Sequence, residues 1–148
     1  MRLVIQRVNQ ASVTVDNSCV AKIGPGMLVL VGICKDDTVV VIGPVIKKLL
    51  ALRIFPDEKH PINRSVGEYN GEILVVSQFT LCANCCNGNR PSFDQAMALE
   101  PAKQLYTYFF DELKRAYPRI ADGVFGAHMH VSLINDGPVT LVLDFPQI

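Results

Sequence analysis

Two short stretches hold residue types that could do chemistry. The first is Ser77-Gln78-Phe79-Thr80-Leu81, which sets hydroxyls and an amide at the end of an apolar run over residues 73–76. Strand-end hydroxyls, an amide and backbone N–H groups that converge on a carbonyl can stabilise an oxyanion, and losing one such donor costs roughly 10²–10³ in rate. A strand leaving the core would give the same pattern. The second stretch is Asn135-Asp136-Gly137-Pro138, between apolar segments 131–134 and 139–145. Glycine permits positive φ and close backbone approach, while proline stiffens the chain and opens the way to a cis bond. Read alone, this is a turn between two strands.

Conventional nucleophiles find little support. Thr80 needs a neighbouring base, and nothing local assembles one. His128 and His130 share one face of a strand, and His60 sits in a turn-rich region. The five cysteines are Cys19, Cys34, Cys82, Cys85 and Cys86. Cys82-x-x-Cys85-Cys86 has the outline of a metal or redox motif, with His128 and His130 as the other ligands in type. Structural zinc sites show two spaced ligand pairs, so incidental loop thiols are the better reading and neither metal nor cofactor is expected. An odd cysteine count without a secretory leader predicts reduced thiols.

The elements that must position these residues follow from periodicity. Residues 3–8 and 12–15 read as two strands, 20–23 as a third, and Gly24-Pro25-Gly26 as a turn. Residues 27–34 are almost wholly apolar and suit a strand buried on both faces. Asp36-Asp37-Thr38 resembles a helix start, and a helix through Leu52 is expected either to kink at Gly43-Pro44 or to begin at Pro44. Residues 53–70 are turn-rich, 72–81 form a strand, and 82–99 form a long loop of the kind that carries function. A helix over 101–117 opens at Pro101 and buries Ala102, Leu105, Tyr106, Phe109, Leu113 and Ala116 on one face. Strands at 128–133 and 139–145 complete an α+β class, a largely antiparallel sheet or open barrel with two main helices packed on it.

Composition bounds the rest. The chain has 148 residues, 49% of them apolar, enough for one domain, residues 1–148, with a substantial core. Fourteen basic residues balance fourteen acidic ones, so there is no overall basic signature of nucleic-acid binding, although a local patch remains open. No apolar run approaches ~20 residues, and no signal peptide is evident. A soluble, cytoplasmic protein with no membrane contact is expected.

Taken together, the two stretches resemble the D-aminoacyl-tRNA deacylase family in its widespread bacterial and eukaryotic form. Ser77–Leu81 matches a Ser-Gln-Phe-Thr-Leu motif, and Asn135–Thr140 matches Asn-x-Gly-Pro-Val-Thr with Asp136 at the variable place. The resemblance continues through Ile5-Gln6-Arg7-Val8, residues 11–15, Lys35-Asp36-Asp37, Arg53-Ile54-Phe55, Arg90-Pro91-Ser92-Phe93 and residues 129–133. Gly43-Pro44 and the cysteine cluster depart from the family pattern.

The resemblance implies hydrolysis of the ester between a D-amino acid, or glycine, and the 3′-terminal adenosine of tRNA. It implies a homodimer in which a cis Gly137-Pro138 reaches the partner's pocket and its backbone carbonyls reject L-substrates. Arg7 would brace that loop. Ser77, Gln78, Phe79 and Thr80 would line the catalytic side, with the Gln78 and Phe79 amides orienting the carbonyl and the ribose 2′-hydroxyl helping to activate water. Met129, Asn135 and Phe93 would contribute to the pocket. Lys47, Lys48, Arg90, Lys114 and Arg115 are candidates for phosphate contacts, or for an ordinary solvated face. Two alternatives stand beside this reading: a dimeric RNA- or ligand-binding module of the same fold without activity, and a metal- or thiol-dependent hydrolase built on residues 82–86 and the histidine strand.

Overall fold

The computed structural model describes residues 1–145. Six strands form one sheet: β1 (Arg2–Val15), β2 (Ser18–Ile23), β3 (Gly26–Gly32), β4 (Glu72–Ser77), β5 (Ile120–Asp122) and β6 (His130–Asp144). Helices α1 (Ile42–Ala51), α2 (Val66–Tyr69) and α3 (Leu99–Ala116) fill the long connections. The order is β2-β1-β3-β4-β5, with β6 on the other edge of β1. The three pairings made by β1 are antiparallel, whereas β3–β4 and β4–β5 are parallel. The class is α+β, a nearly closed mixed sheet. Its parallel pairs follow from the connections, because parallel neighbours need a crossover and α1 with α2, then α3, supply it.

β1 is one strand, not the two expected. It keeps pairing with β6 from Arg2 to Thr14 through two register shifts, between Gln6 and Val8 and between Val8 and Gln10. Arg7 and Val8 are consecutive buried residues, the mark of a bulge that moves the buried set to the other face. Leu3 and Ile5 therefore join the core under the helices, while Val8, Ala11 and Val13 join a second core on the opposite face. β3 and β4 divide their side chains between the two. Met27, Val29, Val31, Ile73 and Val75 face the helices, and Leu28, Leu74 and Val76 face the second core. This is why residues 27–34 read as buried on both faces.

α3 presents Ala102, Leu105, Tyr106, Phe109 and Leu113 to the core as the periodicity predicts, but Ala116 is exposed because the chain turns away there. The helix starts at Leu99 and places Pro101 third, where first-turn amides have no acceptor to lose. The same rule admits Gly43-Pro44 at the second and third positions of α1, which begins at Ile42, two residues before Pro44. Asp37 caps no helix. Its carboxylate accepts from the Cys34 amide at 2.7 Å and pairs with the Met1 ammonium. The turn-rich 53–70 region hides α2, closed by a capping box between Ser65 and Glu68. It and the three-residue β5 are too short to show a period.

The largest correction concerns residues 131–145. They form no hairpin: β6 runs unbroken, pairing with β1 on both sides of the Gly-Pro step. Val8 faces Asn135 and Gln6 faces Thr140, so the intervening residues of β6 are pushed out of the ladder as an excursion. Cys34 and Cys82 are joined as a disulfide rather than held as two free thiols. Their Cα atoms lie 5.7 Å apart, within bonding reach, because the end of β3 runs beside the turn after β4.

Candidate active site

β4 carries the chain out of the core. Ser77 still pairs with Val31, and the Gln78 N–H donates to the Val31 carbonyl at 2.8 Å, one step past the strand. A 3-10 turn, Phe79–Cys82, then folds over the end of β3. Gly32 makes this approach feasible, since a Cβ there would fall 2.7 Å from the Leu81 Cβ and 3.1 Å from the Gln78 carbonyl oxygen. Arg2 Nη1 donates to the Leu81 carbonyl at 3.2 Å and steadies the turn from β1.

Beside this turn opens a cavity of about 500 Å³. Val31, Ile33, Val76, Phe125, Met129 and Val131 give it apolar walls, and Ser77 and Gln78 bring polar side chains to its lining beside Phe79. Phe79 is 58% exposed and meets Phe93 of the long loop edge-on at 5.2 Å, while Phe93 itself lies outside the cavity lining. Thr80 does not line the cavity. Its Oγ1 accepts a 2.6 Å hydrogen bond from Gln78 Nε2, which leaves the hydroxyl proton free to donate.

One expectation fails here. The Gln78 amide is already committed to Val31, so it cannot orient a substrate carbonyl. The amides of Phe79 and Thr80 open the 3-10 turn and have no acceptor within it.

Gly137, Pro138, Arg7 and Asn135 form a separate cluster, outside the lining of this cavity. Arg7 is 7% exposed. Its Nη1 donates to the Ile54 and Pro61 carbonyls at 2.7 and 2.8 Å, and its Nε donates to the Asp136 carbonyl at 3.2 Å and pairs with the Asp136 carboxylate at 3.1 Å. Asn135 closes the excursion from within. Its Oδ1 accepts from the Val139 N–H at 3.1 Å, and its Nδ2 donates to Thr140 Oγ1 at 2.9 Å. The Asn-x-Gly-Pro-Val-Thr spacing thus has a local cause, because its first and last side chains bond each other across the step. Asn135 braces the loop in this way and lines no part of the cavity in its own chain. The Gly137–Pro138 bond is cis, Gly137 has φ of 129°, and both residues are exposed.

The sequence reading missed a titratable pair at the cavity wall. Tyr106, only 3% exposed, lines the cavity and donates to Asp122 Oδ1 at 2.5 Å. Burial pushes the Tyr106 phenol far above its ordinary range, with the Asp122 charge adding to the shift. Burial also raises Asp122, partly opposed by the Tyr106 hydrogen bond. Tyr106 was legible only as a core residue of α3, since its partner comes from another element 16 residues on. His128 lines the cavity but precedes β6, with its ring edge-on to His130 at 5.1 Å. Cys82 is taken up in the disulfide, while Cys85 and Cys86 are exposed free thiols, so the proposed thiolate cluster loses a member.

Fold and cavity together describe an α+β scaffold, a nearly closed mixed sheet beside an apolar cavity with polar groups where β4 ends. Comparison with known proteins narrows the class. The family model described as D-Tyr-tRNA(Tyr) deacylase matches residues 4–144, and the chain belongs to that family. A D-aminoacyl-tRNA deacylase of Protochlamydia amoebophila is 53% identical over 97% of this chain and 95% of its own length. One of Clostridium novyi is 47% identical over 97% of each. Among solved structures, one described as c-Myc DNA Unwinding Element Binding Protein superposes with a TM-score of 0.94 at 44% identity over 99% of both chains. Another, described as a probable eukaryotic D-amino acid tRNA deacylase, has the same fold, with a TM-score of 0.86 at 21% identity over 96% of this chain and 97% of that one.

Proposed function

We propose that this chain hydrolyses the ester joining a D-amino acid, or glycine, to the 3′-terminal adenosine of tRNA. It works as a homodimer in which each subunit offers its Gly137–Pro138 step to the other's cavity. The observation that carries the reading is the cavity itself, whose apolar walls suit a purine and whose polar groups gather at residues 77–79, where an attached ester would lie. Bases stack readily on apolar and aromatic side chains, and Phe125, Met129 and Tyr106 supply them.

With the base so held, the ester carbonyl lies against the first amides of the Phe79–Cys82 turn. Those N–H groups receive the negative charge that develops on the carbonyl oxygen. Thr80 positions substrate and does not attack it. The hydrogen bond it accepts from Gln78 leaves it a donor, and among the described residues no imidazole or carboxylate bonds it to take its proton. The ribose 2′-hydroxyl beside the ester helps to activate water.

Chirality is read by exclusion. A rigid carbonyl-lined step penalises an L side chain, while a D side chain points elsewhere and glycine has none. Three features support this assignment. The step is exposed and lies outside its own chain's cavity, it is anchored by Arg7 and Asn135, and glycine leaves its backbone bare. Protein in the cytoplasm, meeting tRNA largely through phosphates, would bind less tightly as salt rises.

The test is release of amino acid from matched D- and L-aminoacyl-tRNA, with and without a chelator, alongside sedimentation to give the oligomeric state. Rapid release from the D-ester alone, insensitive to chelator, is expected. Equal release from both esters refutes chiral exclusion, binding without release supports the inactive module, and loss on chelation supports a metal enzyme.

A further inference from the structure

The fold gives three of the five cysteines a shared position. Cys82 ends the 3-10 turn that carries Phe79 and Thr80, and Cys34 follows Ile33 at the end of β3. Their bond therefore ties the catalytic turn to a wall of the cavity, since Ile33 and Phe79 both line it. The segment just past β3 receives the returning long loop, through Lys35 N–H to the Gln95 carbonyl and Met97 N–H to the Ile33 carbonyl, the second joining two residues that line the cavity. Three residues past Cys82 stands Cys85, exposed and unbonded, with Cys86 beside it.

We propose that Cys34, Cys82 and Cys85 form a thiol–disulfide exchange site that sets how firmly the Phe79–Cys82 turn is held, with small dithiols and disulfides as its co-substrates. The activity arm of the idea rests on the function proposed above; the chemistry does not.

The exchange balances without an oxidant. The Cys85 thiolate attacks Cys82 Sγ, the Cys82–Cys85 bond forms as the Cys34–Cys82 bond breaks, and the electron pair leaves on Cys34, which takes up a proton. Cys34 is half-buried and Cys82 buried, so the departing thiolate reaches water and the central sulfur is shielded from bulky thiols. The attacking residue shares the short Cys-x-x-Cys spacing found in exchange motifs. A dithiol takes the site further by giving two electrons and two protons, becoming a cyclic disulfide and leaving Cys34 and Cys82 as thiols. In either product the tie to β3 is gone. The turn then depends on the Gln78–Val31 and Arg2–Leu81 hydrogen bonds, enough to keep it in place and too few to keep it rigid.

The test uses the full chain, its Cys85→Ser variant and its Cys34→Ser variant, each exposed to graded dithiothreitol and oxidised glutathione. Differential alkylation with mass spectrometry maps the bonds, amide hydrogen exchange reads residues 79–83, and deacylation is assayed on the same samples. In the oxidised wild type, Cys34 and Cys82 are expected to be linked. With substoichiometric dithiothreitol, Cys34 becomes alkylatable as a Cys82–Cys85 species appears, and Cys85→Ser lacks that species. Amides 79–83 exchange faster once the Cys34 bond is lost, and kcat/KM falls about tenfold, the scale of effect expected when a positioning element loosens. Cys34→Ser behaves as the untied form under every condition. Absence of the Cys82–Cys85 species in wild type, or equal amide exchange in tied and untied protein, overturns the proposal. If no form deacylates any substrate, the proposed function fails while the bond mapping and amide exchange still decide the exchange site.

Discussion

Arg7→Met asks how much of the Gly137–Pro138 step rests on one guanidinium. The wild-type side chain donates to the carbonyls of Ile54, Pro61 and Asp136 and pairs with the Asp136 carboxylate. Hydrogen bonds from a charged donor are worth about 1.5–3 kcal/mol each, so the gross loss over three carbonyls is about 5–9 kcal/mol. Against this stands the relief of no longer burying a charge, several kcal/mol, and methionine refills part of the volume. Removing one partner of a buried pair costs about 3–5 kcal/mol net. The Asp136 side chain is 39% exposed and recovers hydration, which places the estimate at the lower end, about 3 kcal/mol. A domain with 5–15 kcal/mol in hand stays folded after such a loss. Urea denaturation measures the stability change, and release from D- and L-aminoacyl-tRNA measures discrimination. Because the lost bonds hold the step from three segments, the L/D release ratio rises at least about tenfold, the cost of a misplaced positioning group. A stability loss under about 1 kcal/mol, or unchanged discrimination in a folded dimer, refutes the reasoning.

Gly137→Ala places a Cβ 2.9 Å from Val139 Cγ2 and 3.1 Å from Arg7 Nη2 at a φ of 129°; a loss of about 1–3 kcal/mol and weakened D-ester turnover are expected by calorimetry and deacylation assay. Thr80→Ala removes a positioning hydroxyl and lowers kcat by about tenfold, whereas loss of all activity in that assay would restore a covalent role. Asp122→Asn keeps an acceptor for Tyr106 and removes a charge that burial disfavours. Because the folded protein binds this proton more tightly than the unfolded chain does, ionised Asp122 lowers wild-type stability at neutral pH, and that penalty eases as pH falls through the raised pKa. The variant should therefore melt higher than wild type at pH 7, with the gap closing in acid; a lower melting temperature at pH 7 contradicts the assigned shift.

What could be read in the sequence was whatever leaves a local trace. The 3.6-residue spacing of Ala102, Leu105, Tyr106, Phe109 and Leu113 gave α3, and continuous apolarity marked β3 as buried on both faces. The abrupt change at Ser77 marked where polar groups begin, but the strand expected over 72–81 stops at Ser77 and Phe79–Cys82 form a 3-10 turn instead; the two motifs carried the family resemblance. The helix starts were displaced by a few residues because a proline in a first turn is neutral there and does not show where the turn begins.

Tertiary structure decided what depends on residues far apart in the chain. Whether residues 131–145 made a hairpin or one strand turned on whether their partner was each other or β1, and both choices satisfy the same alternation. Arg7 is a loop brace only because residues 54, 61 and 136 meet around it, and Tyr106 is part of the cavity only because Asp122 and Phe125 arrive beside it. Cys34 and Cys82 are 48 residues apart, and their spacing carries no period. Hydrogen bonds and sulfur bonds form between neighbours in space, while sequence pattern records only which face of its own element a residue occupies. The sequence therefore determined the elements and the two motifs, and packing determined which groups those motifs would meet.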